Sequence, residues 1–166
     1  MNEAERLVDL IPRLRRYARA LVGDRAAADD LVQDTLERAW AKLHLYRQGT
    51  DLRAWLFTVM HNVHVNRVRA TRPMETLEDE MPELAQRPAQ GDGLLVRDLD
   101  RAIARLPADQ RAVLLLVTLE EMSYEDVARA LAIPIGTVMS RLSRAREKLR
   151  LMMLGQAAAA KLKVVK

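Results

Sequence analysis

The side chains best suited to chemistry lie near the end of the chain, in the stretch GTVMSRLSRAREKLR at positions 136–150. This stretch carries five basic residues and one acidic residue, so a negatively charged partner is expected. On a helix, which advances about 100° per residue, its apolar residues share one narrow stripe that would pack on a core. That stripe consists of Val138, Leu142, Ala145 and Leu149.

The opposite face of this helix is small and polar around Arg144, and cations rim it. Such a face suits the major groove of DNA, because small side chains let the helix sit deep and an arginine can hydrogen-bond to guanine O6 and N7. The segment SYEDVARALAIPIGTVMSRL predicts a short helix, a tight turn and a second helix, which is helix-turn-helix geometry. A solvated basic helix is the alternative. The residues predicted to contact DNA are Thr137, Met139, Ser140, Arg141, Ser143, Arg144, Arg146 and Lys148.

Metal and catalytic chemistry have little support elsewhere in the sequence. His61 and His64 lie three residues apart and can share a helix face, but no third histidine or carboxylate motif accompanies them nearby. We expect these imidazoles near DNA or solvent rather than on a metal. There is no cysteine, and no glycine-rich phosphate loop, nucleophile elbow or Ser/His/Asp motif is found. We therefore expect neither an enzyme nor a bound cofactor.

The elements that must position these residues form an all-α chain of two blocks. Apolar residues make up 49% of the 166 residues and aromatic residues 4%, which predicts an aliphatic core. Residues 1–72 and 93–166 carry net charges of +4 and +5, whereas residues 73–92 carry −5. The prolines and glycines of the acidic segment predict a flexible linker at 73–93 between two helical domains. No run of about 18 apolar residues and no signal-peptide core is found, so we expect no membrane span and a cytoplasmic location.

Start and stop signals divide the first block into three helices. Gly23 is expected to end the first helix, and Asp24 is expected to cap the second. Thr50 or Asp51 can cap the third. Pro12 indicates either a kink in the first helix or a later start.

The second block contains similar signals for four helices. The Leu106-Pro107 step separates its first two helices, because proline is favoured in a first turn. Ser123 is expected to cap its third helix. The tail at 151–166 has no clear packing partner and is expected to fray.

The second block resembles region 4 of the bacterial extracytoplasmic-function (ECF) sigma factors. The segment LPADQRAVLLLVTLEEMSYEDVARALAIPIGTVMSRLSRAREKLR is similar to the family pattern LP..QR..L.L....G.SY.EIA..LGI..GTVKSRL.RAR..L. Met139 stands where a basic residue is usual, and Ser143 occupies a variable position that often contacts DNA. Both departures imply a changed promoter preference rather than a loss of DNA binding.

The segment ADDLVQDTLERAW resembles ECF region 2.2, which docks on the clamp helices of the polymerase β′ subunit. Helical spacing places its acidic and polar residues opposite the buried stripe, and an ordinary solvated face is the alternative. An acidic face can pair with a cationic partner surface. The resemblance implies that core polymerase is held by Asp30, Leu31, Gln33, Asp34 and Glu37.

The loop LYRQGTD and the helix DLRAWLFTVMHNVHVNRVR resemble regions 2.3 and 2.4, which open and read the promoter −10 element. Asn66 stands where aspartate is usual, and His61 where arginine often occurs. Opening DNA requires a pocket for an unstacked base and cations for the displaced strand. Trp55 is interpreted first as a structural residue. The residues implied to meet the −10 element are Tyr46, Arg47, Gln48, Arg53, Asn62 and Arg69.

The resemblance extends over nearly the whole chain and implies its domains: σ2 at 1–72, the linker at 73–93, σ4 at 94–150 and the tail at 151–166. It implies a sigma factor that binds core RNA polymerase through the β′ clamp helices and the β flap. The σ4 domain would lie on the −35 element and σ2 on the −10 element of promoter DNA, and an anti-sigma factor would regulate the protein. The segment LIPRLRRYARALVGDRAAADDLVQDTLERAW is similar to the general-stress-response group of this family.

Two other functions remain open from the sequence. A sigma-like adaptor would capture an anti-sigma factor without binding DNA, but such mimics usually carry a receiver domain, and none is apparent. A repressor that uses only the helix-turn-helix would leave residues 5–72 without a role. The intact recognition face favours the sigma factor.

Overall fold

The computed structural model describes residues 2–71 and 92–164, and every regular element in that part of the chain is helical. The predicted all-α class is confirmed. The acidic linker predicted at 73–93 lies, up to residue 91, outside the described residues. An N-terminal unit contains α1 (Glu3–Val22), α2 (Arg25–Lys42), a short 3-10 turn (Leu43–Leu45) and α3 (Leu52–Thr71). A C-terminal unit contains α4 (Asp92–Arg105), α5 (Ala108–Thr118), α6 (Tyr124–Leu131) and α7 (Ile135–Val164).

Local signals explain where α1 begins and ends. Asn2 and Glu5 form a capping box, in which each side chain accepts a hydrogen bond from the backbone of the other residue. Gly23 ends the helix with a φ of +80°, a left-handed conformation that favours glycine. The helix runs through Pro12, so the later start that this proline allowed is not observed.

The next two helices begin at capping aspartates, as predicted. Asp24 accepts a hydrogen bond from the backbone N–H of Ala27 at 3.0 Å. Asp51, rather than Thr50, caps α3, because its Oδ1 accepts from the N–H of Arg53 at 3.0 Å. The Asp51 cap fixes the end of the loop at 43–51, which separates α2 from α3.

The C-terminal unit ends in a helix-turn-helix. Ser123 caps α6 by accepting from the N–H of Asp126 at 3.1 Å. Ala132 closes α6 with a φ of +54°, and the N–H of Ile133 donates to the carbonyl of Ala128 at 3.0 Å. This closure redirects the chain within three residues into α7. The helix then continues to Val164, so the fraying expected from residue 151 is wrong for the described part of the tail.

The two units pack against each other through one apolar core, which is largely aliphatic. Arg16 of α1 donates to Glu120 Oε1 at 3.2 Å and to the carbonyl of Leu119 at 3.1 Å. Arg53 of α3 donates to the carbonyl of Glu120 at 2.9 Å, and Arg111 of α5 donates to the carbonyl of Leu21 at 2.9 Å. We call these four hydrogen bonds the interunit clasp.

A helix that crosses a membrane must be both long and apolar. Among residues 2–71 and 92–164, none of the helices combines the length and the apolar character that a membrane crossing requires.

Candidate nucleic-acid and polymerase interfaces

The second helix of the helix-turn-helix presents the face predicted for DNA. Its apolar stripe is inside, with Val138, Leu142 and Ala145 at most 2% exposed. Because this stripe is anchored on α5 and α6, the opposite side of α7 points away from the protein. Six of the eight predicted DNA contacts are exposed there: Met139, Ser140, Ser143, Arg144, Arg146 and Lys148.

The other two predicted contacts are half-buried. Thr137 lies at the first turn of α7, and its carbonyl accepts a hydrogen bond from the Ser140 hydroxyl at 3.2 Å. Arg141 forms an ion pair with Asp109 of α5 at 3.5 Å. Arg141 is therefore held at the flank of the face, where a guanidinium suits a phosphate better than a base edge.

The residues predicted to hold polymerase lie on α2, and all but one face outward. Asp30, Gln33 and Glu37 are exposed, and Asp34 is half-buried. Leu31 is only 1% exposed and belongs to the core, so in this structure it supports the face rather than forming part of it. The exposed surface is acidic and polar, which is the charge expected opposite a cationic partner.

Arg67 of α3 was missed by the sequence analysis. It forms an ion pair with Asp34, with Nε donating to Oδ2 at 3.1 Å, and its Nη2 donates to the carbonyl of Asp30 at 3.2 Å. This arginine ties the acidic face of α2 to α3. Thirty-three positions separate Arg67 from Asp34, so only the packing of the two helices reveals the pair.

The residues predicted for the −10 element divide into free and engaged side chains. Arg47, Asn62 and Arg69 are exposed. The others contact the protein itself. Tyr46 is 7% exposed, packs on Trp55 with ring centroids 5.5 Å apart, and donates its hydroxyl to the carbonyl of Thr50. The ring contact agrees with the structural role expected of Trp55.

Two further −10 candidates have partners in this arrangement of the units. Gln48 donates from Nε2 to Glu3 Oε1 at 2.8 Å, which fastens the loop to the start of α1. Arg53 belongs to the interunit clasp through Glu120. The structure thus gathers the predicted set around one loop and one helix, but only part of the set is available to a ligand.

Glu120 is the buried centre of the clasp. It is 1% exposed, and its Oε2 has no hydrogen-bond partner within the described part of the chain. Burial, and next the negative charge of Glu120, raise the pKa of Tyr17 well above its usual range. A buried carboxylate with one arginine partner makes this contact sensitive to changes in either group.

The two histidines of α3 lie close to charges of both units. Burial lowers the pKa of His61, and the nearby charges of His64 and Arg141 lower it further. Burial also lowers the pKa of His64, with further contributions from Arg111 and Arg67. Within residues 2–71 and 92–164, no cluster of three ligand-type side chains that could hold a metal is found.

Comparison with known proteins agrees with this architecture. Residues 7–61 match the family model described as the Sigma2 domain of PhyR, and residues 97–149 match Sigma-70, region 4. The ECF RNA polymerase sigma factor EcfG of Rhodopseudomonas palustris (strain TIE-1) is 39% identical over 141 residues, which cover 84% of this chain and 78% of that protein.

A sigma factor of known structure matches this chain over both units. The sigma factor RpoE of Bartonella quintana, solved in complex with the anti-sigma factor NepR, matches with a TM-score of 0.75 at 36% identity. The match covers 90% of this chain and 95% of that one. The anti-anti-sigma factor PhyR of the same organism, solved with NepR, matches at 17% identity and a TM-score of 0.57 over 87% of this chain and 49% of that one. The PhyR match shows a shared fold.

A helix-turn-helix beside a three-helix unit is the architecture that this chain shares with a sigma factor of known structure, and 36% of the residues are identical. The chain belongs to the family of ECF RNA polymerase sigma factors. As a sigma factor, it binds core RNA polymerase and directs transcription initiation at promoters.

Proposed function

We propose that the two units divide promoter recognition between them. The outward face of α7 reads the −35 element, while the loop at 46–51 and α3 meet the −10 element. The acidic face of α2 and its tether Arg67 hold the β′ clamp helices, and the C-terminal unit meets the β flap. The observation that carries this proposal is the exposed, polar and cationic face of α7, anchored from behind by a fully buried stripe.

The α7 face has separate groups for position and for sequence. Arg141, Arg146 and Lys148 surround the face, where cations neutralise phosphates and fix the helix in the groove. Arg144 lies near the middle of the face beside Ser140 and Ser143, whose small side chains let it approach a guanine edge. Phosphate contacts supply affinity, whereas the base contact supplies the choice of promoter.

Promoter opening requires some side chains of the N-terminal unit to change partners. Arg53 donates to Glu120, and Gln48 donates to Glu3, in the arrangement seen here. Single-stranded DNA would compete for these donors. The clasp therefore has to loosen before all of the −10 residues become available, which links promoter binding to separation of the units.

Regulation by an anti-sigma factor is part of this proposal. The similarity to RpoE in its complex with NepR covers both units in one superposition, which supports a partner that recognises them together. Such a partner would stabilise the closed arrangement and keep Arg53 from DNA. We place the protein in the cytoplasm, where bacterial core polymerase acts.

One observation favours an adaptor as a second candidate. Residues 7–61 match the sigma2 domain of PhyR, and PhyR is described as an anti-anti-sigma factor. An adaptor that captures an anti-sigma factor has no use for a DNA-reading face on α7. The exposed face and the closer similarity to EcfG therefore place initiation first.

Sequence selection tests the proposal. Holoenzyme assembled from the full chain and sigma-free core polymerase is incubated with a library of randomised duplexes, and the bound fraction is sequenced. We expect two short enriched blocks at a fixed spacing, one for each unit. Enrichment of one block would remove one of the two DNA assignments, and no enrichment above core polymerase alone would favour the adaptor.

A further inference from the structure

An apolar edge interrupts the cationic DNA face of α7. Met139 is 49% exposed, and Ile135, one turn earlier, is 41% exposed. Both lie in the first two turns of the helix, which is where a recognition helix contacts base edges. Where the family pattern has a basic residue at 139, this chain has a side chain without charge or strong hydrogen-bonding capacity.

The surroundings of Met139 define the shape of this edge. Met139, Ser143 and Arg146 follow one another at spacings of four and three residues, so they share one side of α7. With Tyr124 of α6 they line a shallow open groove. Arg150 lines the far end of the groove, and its guanidinium is paired with Glu147 at 2.7 Å. The methionine end of the groove is thus apolar, whereas the opposite end is charged.

The chemistry of the major groove limits what such an edge can meet. Phosphates and most base edges offer charge or hydrogen bonds, which a thioether cannot match. The C5 methyl group of thymine is the apolar group exposed in that groove. Methionine is unbranched and flexible, so it can cover a methyl group whose position is fixed by neighbouring contacts.

We propose that Met139 is a specificity-determining residue that packs on a thymine methyl group in the −35 element. This inference rests on the proposed function, since it takes α7 as the helix in the groove. Under this proposal, the protein prefers thymine at one position of the −35 element, on either strand, because of an apolar contact. Arg144 and the rim cations retain the guanine and phosphate contacts.

Replacing thymine by deoxyuridine tests this contact, because uracil lacks only the methyl group. Holoenzyme containing the full chain binds the duplex selected above, and each thymine of its −35 block is replaced in turn. We expect one replacement to weaken wild-type binding by roughly three- to fivefold, the size expected for losing one buried methyl group. The same replacement should not change binding by the Met139→Ala variant. We expect this variant to bind the thymine duplex as weakly as wild type binds the uracil duplex.

The control variant is Leu151→Ala, which removes an exposed leucine from the same helix outside the proposed DNA face. It should keep the full response to uracil. The inference is wrong if wild type binds the selected duplex but tolerates every uracil, or if the response survives in Met139→Ala. Wild-type holoenzyme that selects no −35 block at all would contradict the proposed function, and the thymine contact with it.

Discussion

Charged side chains on the two proposed interfaces differ in how many internal contacts they make. On α7, Arg144, Arg146 and Lys148 are exposed, and no ion pair or hydrogen bond holds them in the described part of the chain. On α2, the carboxylate of Asp34 is already paired with Arg67. Substitution of any of these three cations should therefore report on the partner alone, whereas substitution of Asp34 also changes an internal contact.

Arg144→Ala should weaken binding of the holoenzyme to a duplex with the selected −35 block by about 1–3 kcal/mol, because a bidentate contact with guanine is lost. The measurement is a titration at one fixed salt concentration, since phosphate contacts vary with salt. Arg13→Ala, which removes an exposed arginine from α1, controls for the loss of one charge. Equal affinity of Arg144→Ala and wild type would remove Arg144 from the base contact.

Asp34→Arg should reduce binding to core polymerase by roughly tenfold or more, because it reverses a charge within the acidic face. Fluorescence titration of labelled chain with sigma-free core polymerase measures this. The control is Arg67→Ala, which breaks the ion pair between Arg67 and Asp34 but keeps the Asp34 carboxylate. It therefore distinguishes the effect of losing the carboxylate from the effect of losing the ion pair. If Asp34→Arg binds core polymerase as tightly as wild type, Asp34 is not in the interface.

Helical periodicity was sufficient to predict which side chains of α7 point outward, because the apolar stripe is anchored by close neighbours. It could not predict the partners of Arg53 or Tyr46. Arg53 reaches a carbonyl 67 positions away, and Tyr46 is enclosed only when the loop folds over Trp55. The resemblance placed these residues near DNA, but their present contacts depend on tertiary structure.

The turns of the C-terminal unit contain two residues in a strained conformation. Glu121 and Ala132 have φ values of +53° and +54°, a region that favours glycine. Glu121 lies just before the cap of α6, and Ala132 lies just after its end. The family pattern has glycine at both positions, so this chain forms the same turns at a higher conformational energy.

Ala132→Gly should raise the free energy of unfolding by about 0.5–1 kcal/mol, because glycine adopts this φ without a steric penalty. Urea unfolding measures the change. Ala128→Gly is the matched control, since it places glycine inside α6, where it should lower stability by about 1 kcal/mol. A loss of stability in both variants would show that strain at Ala132 is not released by glycine.

Helix ends were predictable where one residue determines them. Asp24, Asp51 and Ser123 cap through their own side chains, and Gly23 adopts the conformation that stops α1. The continuation of α7 was not predicted, because the tail has no clear apolar stripe to pack on a core. The four alanines at 157–160 nevertheless have a high helix propensity. Pro12 lies inside α1, since one missing backbone donor does not stop a helix whose apolar face packs on its neighbours.

The two described units adopt a closed arrangement through the interunit clasp. The clasp combines one ion pair with three hydrogen bonds to backbone carbonyls. Its carboxylate, Glu120, is buried, whereas the side chain of Arg16 is 53% exposed. The clasp can therefore be weakened from the outside by a ligand that competes for arginine.

Arg16→Ala should lower the free energy of unfolding by about 1–3 kcal/mol, because it leaves a buried carboxylate without its cation. It should also increase the radius of gyration measured by small-angle X-ray scattering, as the units separate. Arg15→Ala, which removes the exposed neighbour on α1, is the control. Unchanged stability and scattering in Arg16→Ala would mean that the apolar contact alone holds the units together.

The histidines of α3 predict that stability depends on pH. Their pKa values are lowered in the folded chain, so the unfolded chain takes up protons first as the pH falls. Stability should be complete above pH of about 6.5, the ordinary histidine pKa, and should decrease below it. Urea unfolding at several pH values measures this, and the double variant His61→Gln, His64→Gln should flatten the dependence. An equally steep dependence in that variant would assign it to other groups.

The relative placement of the two units could not be predicted from the sequence. Composition and periodicity predict which face of each helix is apolar. Helices of both units have such faces, and these faces do not show how the units pack on each other. Nothing local marks Glu120 as a buried residue, because a glutamate in a turn is usually solvated and its neighbour Glu121 is exposed. Its burial follows only from α1 and α3 closing over it.

Run-off transcription tests the central claim most directly. The full chain is mixed with sigma-free core polymerase on fragmented genomic DNA, and the transcript 5′ ends are mapped. We predict defined start sites that share a two-part upstream motif. No start sites above the core-only control, with the protein folded and no inhibitor present, would contradict sigma activity and favour the adaptor that captures an anti-sigma factor.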